Sequence, residues 1–219
     1  MSAAVTLARR KKEKEGRKEA ILAAAREIFF ENGFHRATVD SIAIEAGVAK
    51  GTVYLYFESK ETILAHLLLE GLEDLLERLE DAFAEGTPLS AESRLRRLAA
   101  AYLEFFNEEQ DYFRLMMAFD RGRFQESVPP ELYQQILLRS VRGLRWAVKA
   151  VQQGVENGDF AEADAKKAAG MFWAAVNGVL VLISHPLRRE LLEQEVETLY
   201  EGVVETMLRG MKIGKAFRN

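Results

Sequence analysis

The chain has 219 residues, 48% of them apolar and 29% charged, with four prolines and no cysteine. A chain of this size and balance buries a full core, which excludes a disordered or fibrous protein. The missing cysteines exclude disulfide frameworks and thiolate chemistry. The polar, basic start shows no signal-peptide pattern, so the expected compartment is the cytoplasm. The net charge of −4 is unevenly spread, with residues 1–60 summing to +3 and the remainder to −7. A basic head on an acidic body suits a protein that turns one end toward nucleic acid.

Residues 1–16 lack apolar periodicity and cluster Arg9, Arg10, Lys11, Lys12 and Lys14. They read as a basic flexible arm, either lying along DNA or solvated as a tail. From Arg17 the stripe Ile21, Leu22, Ala25, Ile28 and Phe29 predicts a helix that Asn32-Gly33 ends. Thr38 can cap the next helix, with Asp40 in its first turn. Ile42, Ala43 and Ala46 share one face of that helix. Gly47 supplies a turn position where positive φ is cheap. Val48 fills the angle, and Val53 and Phe57 form the buried face of the following helix. Ala43, Gly47 and Val53 therefore carry the small–glycine–aliphatic spacing of a helix-turn-helix. Its outer residues, Ala49, Lys50, Gly51, Thr52, Tyr54, Leu55 and Tyr56, include a cation, bare backbone and hydroxyls suited to phosphates and base edges. Thr38 and Lys60 lie near enough to join them, and Ser59 can cap the next helix.

The run AKGTVYLYFESKE resembles the recognition-helix signature of the TetR family of bacterial transcriptional repressors. Gly51, Thr52, Tyr54, Tyr56, Phe57 and Lys60 match it position by position. The motif covers about the first quarter of the chain; the rest agrees with the family only in length and helical character. The resemblance implies an all-α fold, with a three-helix DNA-binding head over residues 17–60. A ligand-binding and dimerisation body would follow over residues 61–219.

Beyond the head, a Leu-rich helix is expected from Ser59 to about Glu85, stopped by Gly86-Thr87-Pro88. Further helices are expected from Ser90 to Glu108 and from Gln110 to Arg121, followed by a loop over 122–128. Pro129-Pro130 opens another that Asn157-Gly158 ends. One more is expected from about Ala161 to Ser184, and a last from Glu190 to Met211. About nine helices result, with no strand pattern and no repeat.

The stretch 168–184 is apolar on nearly every face. It falls short of the roughly 20 residues a membrane span needs and carries Asn177 at its middle. Burial from two sides is the alternative. Phe172, Val176, Val179 and Ile183 can serve the core, leaving Gly170, Trp173, Ala174, Asn177 and Val181 for a second partner. In the resembled family the last two helices pair with their copies as a four-helix interface, and the resemblance implies a homodimer interface here.

Tyr102, Phe105, Phe106, Tyr112, Phe113, Phe119 and Phe124 hold seven of the 21 aromatics, with Met116 and Met117 among them. Such groups fill helical cores, and they also form adaptable walls for an apolar ligand. The family's inducer cavity lies in this region, which marks Tyr102, Phe105, Phe106, Phe113, Met116, Met117, Phe124 and Phe172 as candidate ligand contacts. Arg121 and Arg123 could hold an anionic head group, or simply belong to a solvated loop.

His35, His66 and His185 are scattered without ligand spacing, so no metal is expected, and no cofactor motif occurs. No catalytic constellation is present, so an enzyme is disfavoured. The expected protein is a dimeric, ligand-responsive repressor of a palindromic operator. A fatty acyl-coenzyme A is the first candidate effector and a set of lipophilic drugs the alternative, as in a repressor of an efflux gene. An architectural DNA binder without ligand is the remaining class.

Overall fold

The computed structural model describes residues 3–121, 124–161, 164–192 and 195–213. Among them lie eleven helical segments. These are α1 (Ala3–Asn32), α2 (Val39–Glu45), α3 (Lys50–Tyr54), α4 (Lys60–Phe83), α5 (Ala91–Glu108), α6 (Gln110–Arg121), α7 (Phe124–Ser127), α8 (Pro130–Glu156), α9 (Ala165–Ile183), α10 (Pro186–Leu192) and α11 (Val196–Ile213). The fold is all-α, as predicted.

Three local expectations change. The flexible arm is helical from Ala3, because Arg9–Glu13 and Lys11–Glu15 pair one turn apart at 3.1 and 3.8 Å and support a continuous α1. The loop expected over 122–128 contains α7. The connection expected between Ser184 and Glu190 is helical from Pro186: proline is preorganised for a first helical turn, and it opens α10. Other ends fall where the capping chemistry puts them. Ser90 accepts from the Ser93 amide at 3.1 Å, and the Ser59 hydroxyl accepts from the Thr62 amide at 3.1 Å. Gly33 and Gly158 take positive φ after α1 and α8.

Packing groups the chain into two units, residues 1–70 with 111–136, and residues 71–110 with 137–219. The predicted division at residue 60 is not the one the packing draws, since α6 and α7 join the head. Several bonds hold them there. Tyr112 donates to Glu70 at 3.3 Å, and the same carboxylate accepts from Arg26 of α1. Arg114 donates to the Phe30 carbonyl at 3.2 Å, and Ser59 to that of Ser127 at 3.3 Å. Aromatic edges continue the join, with Phe34 at 5.1 Å from Phe124 and Phe124 at 5.1 Å from Phe119. Ile21, Ala25, Ile42, Val53, Phe57 and Ile63 fill the core of this unit.

In the second unit α9 packs on α11, α5 and α10. Tyr200 is buried and donates to the Ala99 carbonyl at 2.9 Å; burial, with Tyr102 nearby, pushes its phenol well above the ordinary range. At the end of α8 the Phe160 ring lies so close to Gly154 that a Cβ there would stand 2.2 Å away, which fixes glycine at this turn.

The C-terminus of α4 depends on one buried cation. Arg94 donates to the carbonyls of Phe83, Ala84 and Thr87, and its guanidinium stands 4.3 Å from the Phe83 ring centre. These are carbonyls that a helix end leaves unpaired. Arg94→Leu strands them, at a cost of about 3 kcal/mol. Differential scanning calorimetry should show a melting temperature lower by about 6–12 °C.

Candidate nucleic-acid interface

The head is built on a reciprocal cap. The Ser41 amide donates to the Thr38 hydroxyl at 3.0 Å, and the Thr38 amide donates to the Ser41 hydroxyl at 3.1 Å. This starts α2 at Val39 and turns Ile42 and Ala43 inward. The sequence gives Thr38 two tasks, capping and reaching DNA; its hydroxyl oxygen is occupied by the cap. Gly47 then takes φ +64°, a conformation costly for any residue with a Cβ, and the Val48 amide closes on the Ala43 carbonyl at 2.9 Å. The turn sets α3 against α2.

α3 and the residues just after it divide into a buried and an outer side. Val53 and Phe57 are 0% and 1% exposed, so they hold the helix to the core. Ala49, Lys50, Gly51, Tyr54 and Leu55 are exposed, with Leu55 at 80%, while Thr52 and Tyr56 are half-buried. An aliphatic side chain so exposed contributes nothing to the core, and it can pack on a thymine methyl. The Lys50 ammonium donates to Asp40 at 2.8 Å, and that bond raises its pKa. The pair holds Lys50 over the α2–α3 angle.

Lys60 departs from expectation. Its ammonium donates to the carbonyls of Phe34 and Ala37 at 2.8 and 2.9 Å and stands 4.3 Å from the Phe34 ring centre. Partial burial pulls its pKa below the ordinary value. A cation already held by two carbonyls ties the α1–α2 connection to α4. Two of its three N–H donors are thus used in positioning the head. Lys60→Ala should therefore lower the melting temperature and weaken DNA binding without changing the salt dependence. A log K against log salt slope shallower by about one unit would restore a phosphate contact to it.

Sequence reasoning missed Ile44, which is 80% exposed on α2. It stands one turn beyond Asp40. Its signal was legible, since it lies off the Ile42–Ala43 face.

The residues expected at the ligand site are shared between the two units. Phe113, Met116, Met117 and Phe124 fall in the first, and Tyr102, Phe105, Phe106 and Phe172 in the second. Phe106, Met116 and Met117 keep partial exposure; the other five are buried. Arg123 lies outside the described residues, as does the Arg121 side chain.

Two residues of the expected dimer face also make contacts within the protomer. Trp173 stacks on Tyr102 with centroids 4.5 Å apart, and Asn177 accepts from the Tyr102 hydroxyl at 2.7 Å. These two are engaged with α5, because the shared phenol satisfies the polar Asn and covers the indole. Ala174 is exposed, while Gly170 and Val181 are half-buried. Met171 and Gly178 extend the uncovered side, Met171 at 56% exposure. Beside it runs an apolar groove of about 300 Å³, lined by Phe160, Met171, Met207 and Met211 among others. α9 is long and apolar enough to cross a membrane, with 33% of its most apolar window buried inside the protomer. Among the described residues no cluster of His, Cys, Asp or Glu could hold a metal.

Residues 21–67 match the family model of the bacterial regulatory proteins, tetR family. The fatty acid metabolism regulator protein of Bacillus subtilis (strain 168) is 45% identical over 74 residues, 34% of this chain and 38% of that protein. The HTH-type transcriptional activator FasR of Mycolicibacterium smegmatis is 30% identical over 107 residues, 49% of this chain and 48% of its own. The chain thus matches less than half the length of either relative. Its fold is similar to that of the transcriptional regulator FadR from Bacillus subtilis in complex with stearoyl-CoA. There the TM-score is 0.68 at 25% identity, covering 88% of this chain and 98% of that one.

Proposed function

The chain belongs to the TetR family of bacterial transcriptional regulators, and on that premise we propose that it is a dimeric repressor that an elongated apolar molecule releases from its operator. The observation that carries the DNA-binding part is the division of α3, with Val53 and Phe57 buried while Lys50, Tyr54 and Leu55 face outward. Lys50, Tyr54 and Tyr56 contact phosphates in this reading, and Thr52 and Leu55 choose bases. The protein works in the cytoplasm, where its operator lies. It acts by binding and not by catalysis.

The uncovered side of α9 takes a second copy of this chain. Small residues at Gly170, Ala174 and Gly178 let backbones approach closely, and the groove beside Met171 offers apolar area to the partner helix. A dimer sets two α3 helices in successive major grooves.

An acyl-coenzyme A is the effector class we favour, because a similar regulator was solved with stearoyl-CoA. Met116 and Met117 are partly exposed apolar groups of the first unit that would meet its chain. α4 contributes residues to both units as one continuous helix and is the element that carries the signal. Ligand and DNA then select different states and weaken each other by the same factor.

Thermal shift with stearoyl-coenzyme A, stearate and a lipophilic cationic drug tests the effector class. Stabilisation by the coenzyme A ester above the other two supports it; stabilisation by the drug alone transfers the protein to the multidrug class. Met117→Phe should change ester and operator affinities together, as isothermal titration and fluorescence anisotropy would show. If saturating ester leaves operator affinity unchanged, the coupling is wrong.

A further inference from the structure

α1 is 30 residues long, yet only its second half is buried. Ile21, Leu22, Ala25 and Phe29 are buried, whereas Leu7 to Arg17 are exposed. A helix turns about 100° per residue, so positions three or four apart share a side. Counting back from Ala25 and Ile21, that side is continued by Lys18 or Arg17, then Lys14, then Arg10. The face that is apolar against the head thus becomes cationic where α1 leaves it.

The two acids of this stretch flank that side, and both are already engaged, Glu13 with Arg9 and Glu15 with Lys11. Among the described residues, Arg10, Lys14 and Arg17 have no ion-pair partner. Lys18 fixes the direction of the stripe, because its ammonium stands 5.7 Å from the ring centre of Phe57, just past α3. The cationic side of α1 is therefore the side on which the helix-turn-helix stands. Its rungs lie about 4.5 to 6 Å apart along the helix, within two phosphate steps of one strand along a duplex axis at about 3.4 Å each. A membrane surface would need an apolar face on this segment, and Leu7 is the one large apolar side chain among its described side chains.

We propose that the exposed half of α1 is a second DNA-contact element, in which Arg10, Lys14 and Arg17 engage backbone phosphates of double-stranded DNA flanking the bases that α3 meets. It rests on the DNA-binding reading above. Contacts of this kind carry no sequence preference and add affinity and salt dependence.

The test uses the full chain with the triple substitution R10Q/K14Q/R17Q and a 40-bp duplex of arbitrary sequence. Binding is followed by fluorescence anisotropy over graded salt. The slope of log K against log salt should flatten by about 0.9 for each phosphate that is no longer neutralised, and affinity at 100 mM salt should fall at least tenfold. Circular dichroism should be unchanged, since glutamine is a good helix former and these side chains are exposed. K166Q/K167Q/R188Q removes the same charge from exposed positions elsewhere and should keep the parental slope. A parental slope in R10Q/K14Q/R17Q, with duplex binding intact, overturns the inference and leaves the regulator reading standing. Equal flattening in both triple variants also overturns it, because net charge alone would then explain the effect. If R10Q/K14Q/R17Q loses binding to phosphatidylserine vesicles instead while its DNA slope holds, the segment is a membrane contact and the inference fails. A parental chain with no salt-dependent affinity for the duplex overturns both readings.

Discussion

Ala174→Arg should sediment as a folded monomer at micromolar concentration and lose operator binding. In one protomer Ala174 is exposed, and nothing lies above Gly170 or Gly178 on either side of it along α9. An arginine there is solvated in the monomer and costs its stability only about 0.5 kcal/mol. Against a second α9 it becomes a buried charge without a partner, which costs about 3–5 kcal/mol. At about 1.4 kcal/mol per decade, the dimer constant should weaken by roughly two to three and a half orders of magnitude. Operator affinity falls with it, because one head meets only one half-site. Sedimentation velocity with circular dichroism separates dissociation from unfolding. A dimeric Ala174→Arg chain, or a parental chain that is monomeric at these concentrations, removes this face from the account.

The second large effect is on α3. Lys50→Ala, Tyr54→Phe and Leu55→Ala together should reduce operator affinity at least a hundredfold, given about 1–3 kcal/mol for each contact of this kind. The melting temperature should stay within a degree or two, because all three side chains are exposed and the fold uses Val53 of this helix and Phe57 just past it. Thr52→Ala alone should relax the choice among sequences and leave the salt slope unchanged. If the triple variant binds like the parent, α3 is not the reading helix.

What was legible in the sequence was local. Thr38 and Ser90 announced helix starts through side-chain oxygens that accept their own amides. Gly47 announced a turn through its positive φ, and the Val53–Phe57 spacing placed α3 on the core. The motif that resembles the TetR signature rests on the same short-range pattern. What was not legible depended on partners far along the chain. Lys60 looked like a free cation because its acceptors, the Phe34 and Ala37 carbonyls, lie 26 and 23 positions earlier. Trp173 and Asn177 looked uncovered because Tyr102, which engages both, belongs to α5. The grouping of α6 and α7 with the head depends on Glu70, Phe30 and Phe34, and no periodicity in 111–136 reports it. The start of α1 was missed for another reason. Its support is charge pairing one turn apart, which leaves no apolar stripe to detect.

The central claim is that two copies of this chain read a specific duplex through α3. Selection from a random double-stranded library by the full chain, followed by footprinting of the winners, tests it directly. The account predicts one consensus made of two inverted half-sites, centred about one helical turn or a small multiple of it apart. The Thr52→Ala chain should select an altered half-site. A bound pool with no shared sequence, or a consensus that Thr52→Ala and Leu55→Ala leave untouched, would contradict it.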